Sequence, residues 1–236
     1  MIDTVIFDLD GTLLDTLTDL HGSVNYALER LRFPKRSAAE VRAFVGNGAE
    51  QLILRSAPPK CDRKTTKLLL DLFEEHYRSH SLDHTAPYEG ILPLLEELKQ
   101  RGFAMAVVSN KPAFATEALC KRFFGGLIFP AIGQRQDLPK KPAPDMLLEA
   151  MRVLKKEPAQ CIYVGDSEVD VASSENAGLP LLAVDWGFRS RQQLLDAGAD
   201  VIVSSPTQLL ERLLSLQAKG PYERSNSHEK SADHSR

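Results

Sequence analysis

The chain is short of cysteine and of aromatic residues: three cysteines, one tryptophan and 7% aromatics in 236 residues. Cys61, Cys120 and Cys161 are odd in number, widely spaced and outside any C-x-x-C pair, so neither a disulfide framework nor a thiolate zinc site is supported. Buried, reduced thiols are the expectation. No apolar run approaches the ~18 residues a membrane helix needs, and clean stretches such as Phe103 to Val108 are strand-sized, which excludes a membrane partner. There is no surplus of positive charge either. Lys plus Arg number 29 against 32 for Asp plus Glu, a net charge of −3, so no global field exists to hold a nucleic acid. The opening residues, MIDTVIFDLDG, place acids where a secretory leader would place its basic end and apolar core, and a cytoplasmic protein is expected.

What remains is the composition of an ordinary globular protein, 43% hydrophobic and 26% charged. Its length suits one large domain or a main domain with a small one. Short runs rich in Val, Ile, Leu and Phe recur at Thr4 to Phe7, Ala104 to Val108, Leu127 to Ile132, Cys161 to Val164, Leu181 to Val184 and Asp200 to Val203. Amphipathic helical segments separate them: Ile91 to Gln100, Ala113 to Phe123, Pro144 to Leu154 and Glu168 to Ala177. Strand alternating with helix predicts an α/β, doubly wound, mainly parallel sheet. Between Asp15 and Tyr88 the spacing is helical throughout (Leu17, Leu20, Val24, Leu28, Leu31; Val41, Phe44, Val45; Leu52, Ile53; Leu68, Leu69, Leu72, Phe73), and no strand is expected there. An insertion of about 70 residues is too long for an ordinary βα loop. It reads as a helical cap over residues 16–87, with the α/β core formed by 1–15 and 88–217. From Ala218 to 236 the chain is polar apart from Tyr222 and is expected to form a disordered tail.

The first strand ends in Asp8-Leu9-Asp10-Gly11-Thr12, so two carboxylates leave a buried strand together. Alone, this pattern is equally a turn with Asp8 capping a helix. Two other strands also end in polar motifs: Ser109-Asn110-Lys111, and Gly165-Asp166-Ser167-Glu168-Val169-Asp170. Between these lies Lys140-Lys141-Pro142-Ala143-Pro144. Strand ends on one edge of an open sheet meet at one crevice, and Gly165 would let the backbone approach a ligand. Hydroxyls, a lysine and several acids in one place suit a phosphate and a hard cation. Two unit charges ~4 Å apart repel by about 4 kcal/mol at an effective dielectric near 20, so the acids need a cation to tolerate a phosphate. All-oxygen donors select Mg²⁺.

D-x-D-G-T, S-N-K, K-P-A-P and G-D-x-x-x-D, in this order, resemble the motifs of the haloacid dehalogenase-like phosphatases with a helical cap, over nearly the whole chain up to Leu216. The resemblance implies Asp8 as nucleophile through an aspartyl phosphate, Asp10 as general acid and base, and Mg²⁺ held by Asp8, the Asp10 carbonyl and Asp166. It further implies Thr12, Ser109 and Asn110 around the phosphoryl oxygens, Lys141 as the neutralising lysine in preference to Lys140, and Asp170 orienting Lys141 or a metal-bound water.

Gly46, Asn47 and Gly48, within Phe44 to Leu52, resemble the cap segment of phosphoglycolate phosphatases and are candidate substrate contacts; a flexible helix–helix turn is the alternative. Arg42 and Arg55 are candidate carboxylate partners or merely solvated. His76, His80 and His84 are read as exposed helix-end residues rather than a zinc site, and Trp186 and Phe188 as packing residues. The expected substrate is a small phosphorylated metabolite, 2-phosphoglycolate foremost. Pyrophosphatase, broad sugar-phosphate phosphatase and phosphomutase activities stand as alternatives in the same superfamily, and a non-catalytic binding module as one outside it. A monomer or a homodimer is expected.

Overall fold

A computed structural model describes residues 1–218. Six strands, β1 (Thr4–Phe7), β4 (Ala104–Pro112), β5 (Ala131–Gln134), β6 (Cys161–Gly165), β7 (Leu181–Val184) and β8 (Ile202–Val203), form one sheet in the order β5-β4-β1-β6-β7-β8. All its pairings are parallel, with Thr4 opposite both Ala104 and Cys161. β1 is central and buried on both faces, which is why it reads as an unbroken apolar run rather than an alternating one. Its side chains divide by parity. Val5 and Phe7 pack with α5 (Ile91–Gln100), α6 (Ala113–Phe124) and α10 (Pro206–Ala218), while Ile6 packs with α7 (Asp145–Leu154) on the opposite face. Full burial of each such side chain stabilises the fold by about 1.5–3 kcal/mol. α8 (Glu168–Ala177) and α9 (Arg191–Asp196) complete the helical layers.

Four further helices follow the first strand: α1 (Leu17–Arg30), α2 (Ala38–Phe44), α3 (Ala49–Ser56) and α4 (Arg63–His80). They share their own apolar cluster, centred on Leu20, Val24, Leu28, Val41, Leu52, Ile53, Leu69 and Phe73. Leu68, grouped with these by spacing, is instead exposed. Start signals are in place: Ser37 and Glu40 form a capping box, and Asp62 accepts from the Thr65 N–H at 2.7 Å. Where the chain leaves and re-enters the α/β layer it forms a small antiparallel pair, β2 (Leu14–Asp15) with β3 (Ala86–Pro87), where no strand was expected. Buried Asp19 fastens this junction, its carboxylate accepting from the His84 N–H and from the Thr85 N–H and hydroxyl.

Three other expectations need correction. The β5 run is displaced from Leu127–Ile132 to Ala131–Gln134, because Pro130 lacks a ladder donor and Leu127 and Ile128 pack on the core instead. β4 runs through the polar motif to Pro112. Cys120 and Cys161 are buried, and burial pushes both thiols up to about 12, but Cys61 is only half-buried. The expected tail lies outside the described residues, except that Ala218 closes α10. Among the described residues no helix is long and apolar enough to cross a membrane.

Candidate active site

The carboxyl ends of β1, β4 and β6 converge beneath the helical segment, and a crevice of about 730 Å³, open mouth included, lies between them. Asp8, Asp10, Ser109, Asn110 and Asp166 line it from the sheet; Gly46 and Gly48 line it from the helices. Lys141 and Asp170 are buried beneath. The Lys141 ammonium lies 2.9 Å from Asp8 Oδ1 and 2.8 Å from Asp170 Oδ1. These two carboxylates hold its charge on against the opposing effect of burial, raising its pKa.

Asp170 is saturated: Oδ1 also accepts from the Tyr163 hydroxyl at 2.7 Å, and Oδ2 from the Ser167 N–H and hydroxyl at 3.1 and 2.6 Å. Although burial works to raise Asp170, Lys141 and these donors keep it below the ordinary carboxylate value. Asp8 differs. Its Oδ1 takes the Leu9 N–H at 2.7 Å and Lys141, while Oδ2 meets no protein donor among the described residues. Burial, with Asp170 and Asp10 nearby, pushes Asp8 up to about 7 despite Lys141. Asp166 is raised well above the usual range by burial, Asp170 and Asp8, against a Phe188 N–H at 2.7 Å and the Thr12 hydroxyl at 3.1 Å.

Oxygens of Asp8, Asp166 and Asp170 lie within 4.8 Å of one another. Because Asp170 is spent on four protein donors, Asp8 and Asp166 are the carboxylates with capacity left. Two buried acids whose charged forms are disfavoured by burial and by neighbouring carboxylates, in a set of oxygen donors, fit a hard divalent cation.

Several predicted residues do other work in this conformation. Thr12 does not border the crevice, and its hydroxyl is directed at Asp166 rather than at a ligand. The Asn110 side chain is fully used as a clasp: Nδ2 donates to Gly46 O and Lys141 O, and Oδ1 accepts from the Lys141 N–H. Asn47 contributes its carbonyl to Lys140 Nζ at 3.2 Å, so Lys140 braces the helical segment and is not the lysine on Asp8. Gly165 makes room for Asp170, since a Cβ there would strike that side chain rather than a ligand. Arg42 and Arg55 are exposed and outside the lining. α4 ends at His80, so His84 does not continue the helix; His76 bonds Ser23 and stacks on Tyr26 and His80.

Other site contacts escaped the sequence reading, which takes Trp186 and Phe188 only as packing residues and Lys111 only as part of the Ser109-Asn110-Lys111 motif. Gly187 lies so close to Gly11 O and Asp166 that no Cβ fits. Trp186 Nε1–H donates to Thr12 O at 3.0 Å, and Phe188 inserts into the helical cluster. Arg189, 6% exposed, pairs with Glu168 and donates to Arg42 O and Val45 O on α2 and its end, joining helical segment to sheet edge. Lys111 holds Asp10. A Gly soon after a strand was a weak signal for Gly187, the Ser109-Asn110-Lys111 motif marked Lys111 without showing its partner, and Arg189 carried none.

The fold and site define a class: an α/β enzyme whose acidic centre, at a sheet edge under helices, is suited to phosphoryl groups and a hard cation. Residues 5–184 match the haloacid dehalogenase-like hydrolase family, and the chain belongs to it; it is a phosphatase. It is 31% identical to the phosphoglycolate phosphatase of Vibrio vulnificus over 222 residues, 90% of this chain and 96% of that protein. It is 32% identical to phosphoglycolate phosphatase 1 of Pseudomonas aeruginosa over 213 residues, 87% of this chain and 78% of that one. A solved structure from Lactobacillus delbrueckii subsp. bulgaricus superposes with TM-score 0.86 at 33% identity, covering 89% of this chain and 98% of that one.

Proposed function

We propose that the enzyme hydrolyses 2-phosphoglycolate with Mg²⁺ through an aspartyl phosphate on Asp8. The observation that carries this is the state of Asp8: at the floor of the crevice, one oxygen fixed by Lys141 and the Leu9 N–H, the other without a protein donor among the described residues. A carboxylate so held is a positioned nucleophile. Asp8 Oδ2 attacks phosphorus, the phosphorus–oxygen bond to the glycolate breaks, and Asp10 gives its proton to the leaving oxygen. Asp10 then takes a proton from the water that attacks the acyl phosphate, releasing phosphate and restoring Asp8. Asp8, Asp166 and the Asp10 carbonyl would hold Mg²⁺, which would supply positive charge to offset that of the carboxylates and the phosphoryl group. Lys141, oriented by Asp170, offsets charge on Asp8. Ser109, on the lining, is assigned to the phosphoryl oxygens; Thr12 and Asn110 join it only if their present bonds to Asp166 and Lys141 are exchanged. Residues 16–87 serve as a cap that excludes water, Gly46 and Gly48 being its part of the wall.

The relatives named phosphoglycolate phosphatase support this choice of substrate over pyrophosphate and hexose phosphates. The test is kcat/KM on those three substrates, with Mg²⁺ and with EDTA, for wild type and Asp8→Asn. Mg²⁺-dependent preference for 2-phosphoglycolate, abolished in a folded Asp8→Asn, is expected. Unchanged hydrolysis by that variant removes Asp8 as nucleophile, and a preference for another substrate removes the assignment.

A further inference from the structure

Two polar groups on the crevice wall have no part in the chemistry above. Lys111, near the end of β4, is 5% exposed, and its ammonium donates to both Asp10 oxygens at 2.9 Å. An ammonium has three donors, and Asp10 takes two. Tyr77, on the last turn of α4, is 4% exposed; its ring centre lies 4.8 Å from Lys111 Nζ, and its hydroxyl has no hydrogen-bond partner among the described residues. Both side chains line the crevice beside Asp10. A buried hydroxyl without a partner is unfavourable and uncommon. The Tyr77 hydroxyl faces the Lys111 ammonium, but its own proton has no acceptor among the described residues, and the third N–H of Lys111 has only that hydroxyl before it; side by side, the two suit one small anion.

We infer that Lys111 and Tyr77 receive the carboxylate at the leaving-group end of the substrate, so that the enzyme selects phosphate esters of short hydroxy acids over esters with uncharged tails. This rests on the phosphatase reading above and deepens it. Asp10 must reach the leaving oxygen, and Lys111 touches Asp10, so an anion on Lys111 lies near that oxygen, a condition that the carboxylate of a two-carbon hydroxy acid meets and the uncharged tail of a hexose phosphate does not. Lys111 comes from the sheet edge and Tyr77 from the helices, so the anion would bridge them.

The test compares kcat/KM for 2-phosphoglycolate and 2-hydroxyethyl phosphate, which differ only in the carboxylate, in wild type, Lys111→Met, Lys111→Arg and Tyr77→Phe. Wild type should prefer the carboxylate ester by roughly a hundredfold, the weight of charge-assisted bonds from two donors. Lys111→Met and Tyr77→Phe should each reduce that ratio by about tenfold or more, with Lys111→Arg retaining more of it than Lys111→Met. A purely structural role would lower both esters alike, and an unchanged ratio in folded Tyr77→Phe overturns the inference even if Lys111→Met does not fold. Wild type that turns over both esters equally also overturns it while leaving the phosphatase reading intact. If wild type with Mg²⁺ turns over neither, that reading fails and the inference with it.

Discussion

Replacing Asp170 by asparagine probes the buried charge network with a change of one atom. The native carboxylate accepts from four donors: Lys141 at 2.8 Å and Tyr163 at 2.7 Å on Oδ1, and the Ser167 N–H at 3.1 Å and hydroxyl at 2.6 Å on Oδ2. An amide nitrogen cannot accept, so on whichever side it sits one obligate donor, the Lys141 ammonium or the Ser167 N–H, faces an NH₂ group while the hydroxyl on that side must turn to accept; two bonds survive on the amide oxygen. Each hydrogen bond to a charged acceptor contributes about 1.5–3 kcal/mol, and the surviving two weaken when that charge goes. Lys141 keeps Asp8 at 2.9 Å, which limits the loss. The expected destabilisation is about 3–5 kcal/mol, as for opening a buried ion pair, against total stabilities of roughly 5–15 kcal/mol. Urea unfolding followed by circular dichroism at neutral pH reads it directly. Activity should fall by roughly a hundredfold because Lys141 loses the partner that orients it. A loss below about 1 kcal/mol, no more than one ordinary hydrogen bond, would refute this reckoning, and an unaltered kcat would remove the Lys141–Asp170 pair from the chemistry.

Gly187→Ala should lower Mg²⁺-dependent kcat/KM by roughly a hundredfold while the fold persists, because its Cβ would displace Asp166 or the Gly11 carbonyl; full activity contradicts the close packing. Arg189→Met removes donors to Arg42 O and Val45 O and should lower kcat/KM by about tenfold through a weaker closed state, and steady-state kinetics without change would deny it a closing role. In the metal-free protein Asp8 sits at about 7 against an ordinary 3.8, so it binds a proton near pH 6 that the unfolded chain releases. Its contribution to metal-free stability is therefore fully present below the ordinary value and lost as pH rises through 7. Mg²⁺ must displace that proton, so its apparent affinity should fall as pH drops below 7, by up to about tenfold per unit per proton. Calorimetry near pH 6 in buffers of different ionisation heat should show proton release, and none would contradict the raised value.

The central strands were legible because they are buried on both faces and therefore written as apolar runs; β1 and β7 match their predicted ends. β2 and β3 were not, since two residues are too few to show a period. The acids of the site were legible because Asp8 and Asp166 follow directly on strands, with Asp10 and Asp170 within four residues of them, and one sheet edge gathers strand ends from distant parts of the chain. The partners of the cations were not, although Lys111 stood in the Ser109-Asn110-Lys111 motif. Lys111 meets Asp10 101 positions away, and Arg189 meets Val45 144 positions away. Tyr77 occupies an ordinary apolar position on α4, and nothing in its spacing marks a hydroxyl left without a partner among the described residues. Thr12 was read as a phosphate ligand from its motif, but which of two nearby acceptors a hydroxyl serves depends on the packing of Asp166 against it.

Catalysis as proposed stands on Asp8 taking the phosphoryl group. Rapid acid quench of a single turnover with radiolabelled 2-phosphoglycolate and Mg²⁺, followed by digestion and mass spectrometry, tests this directly. A hydroxylamine-labile phosphate on the peptide carrying Asp8, rising and decaying within the turnover and absent with EDTA, is the predicted result. Complete hydrolysis with no label on the protein at any quench time would contradict it.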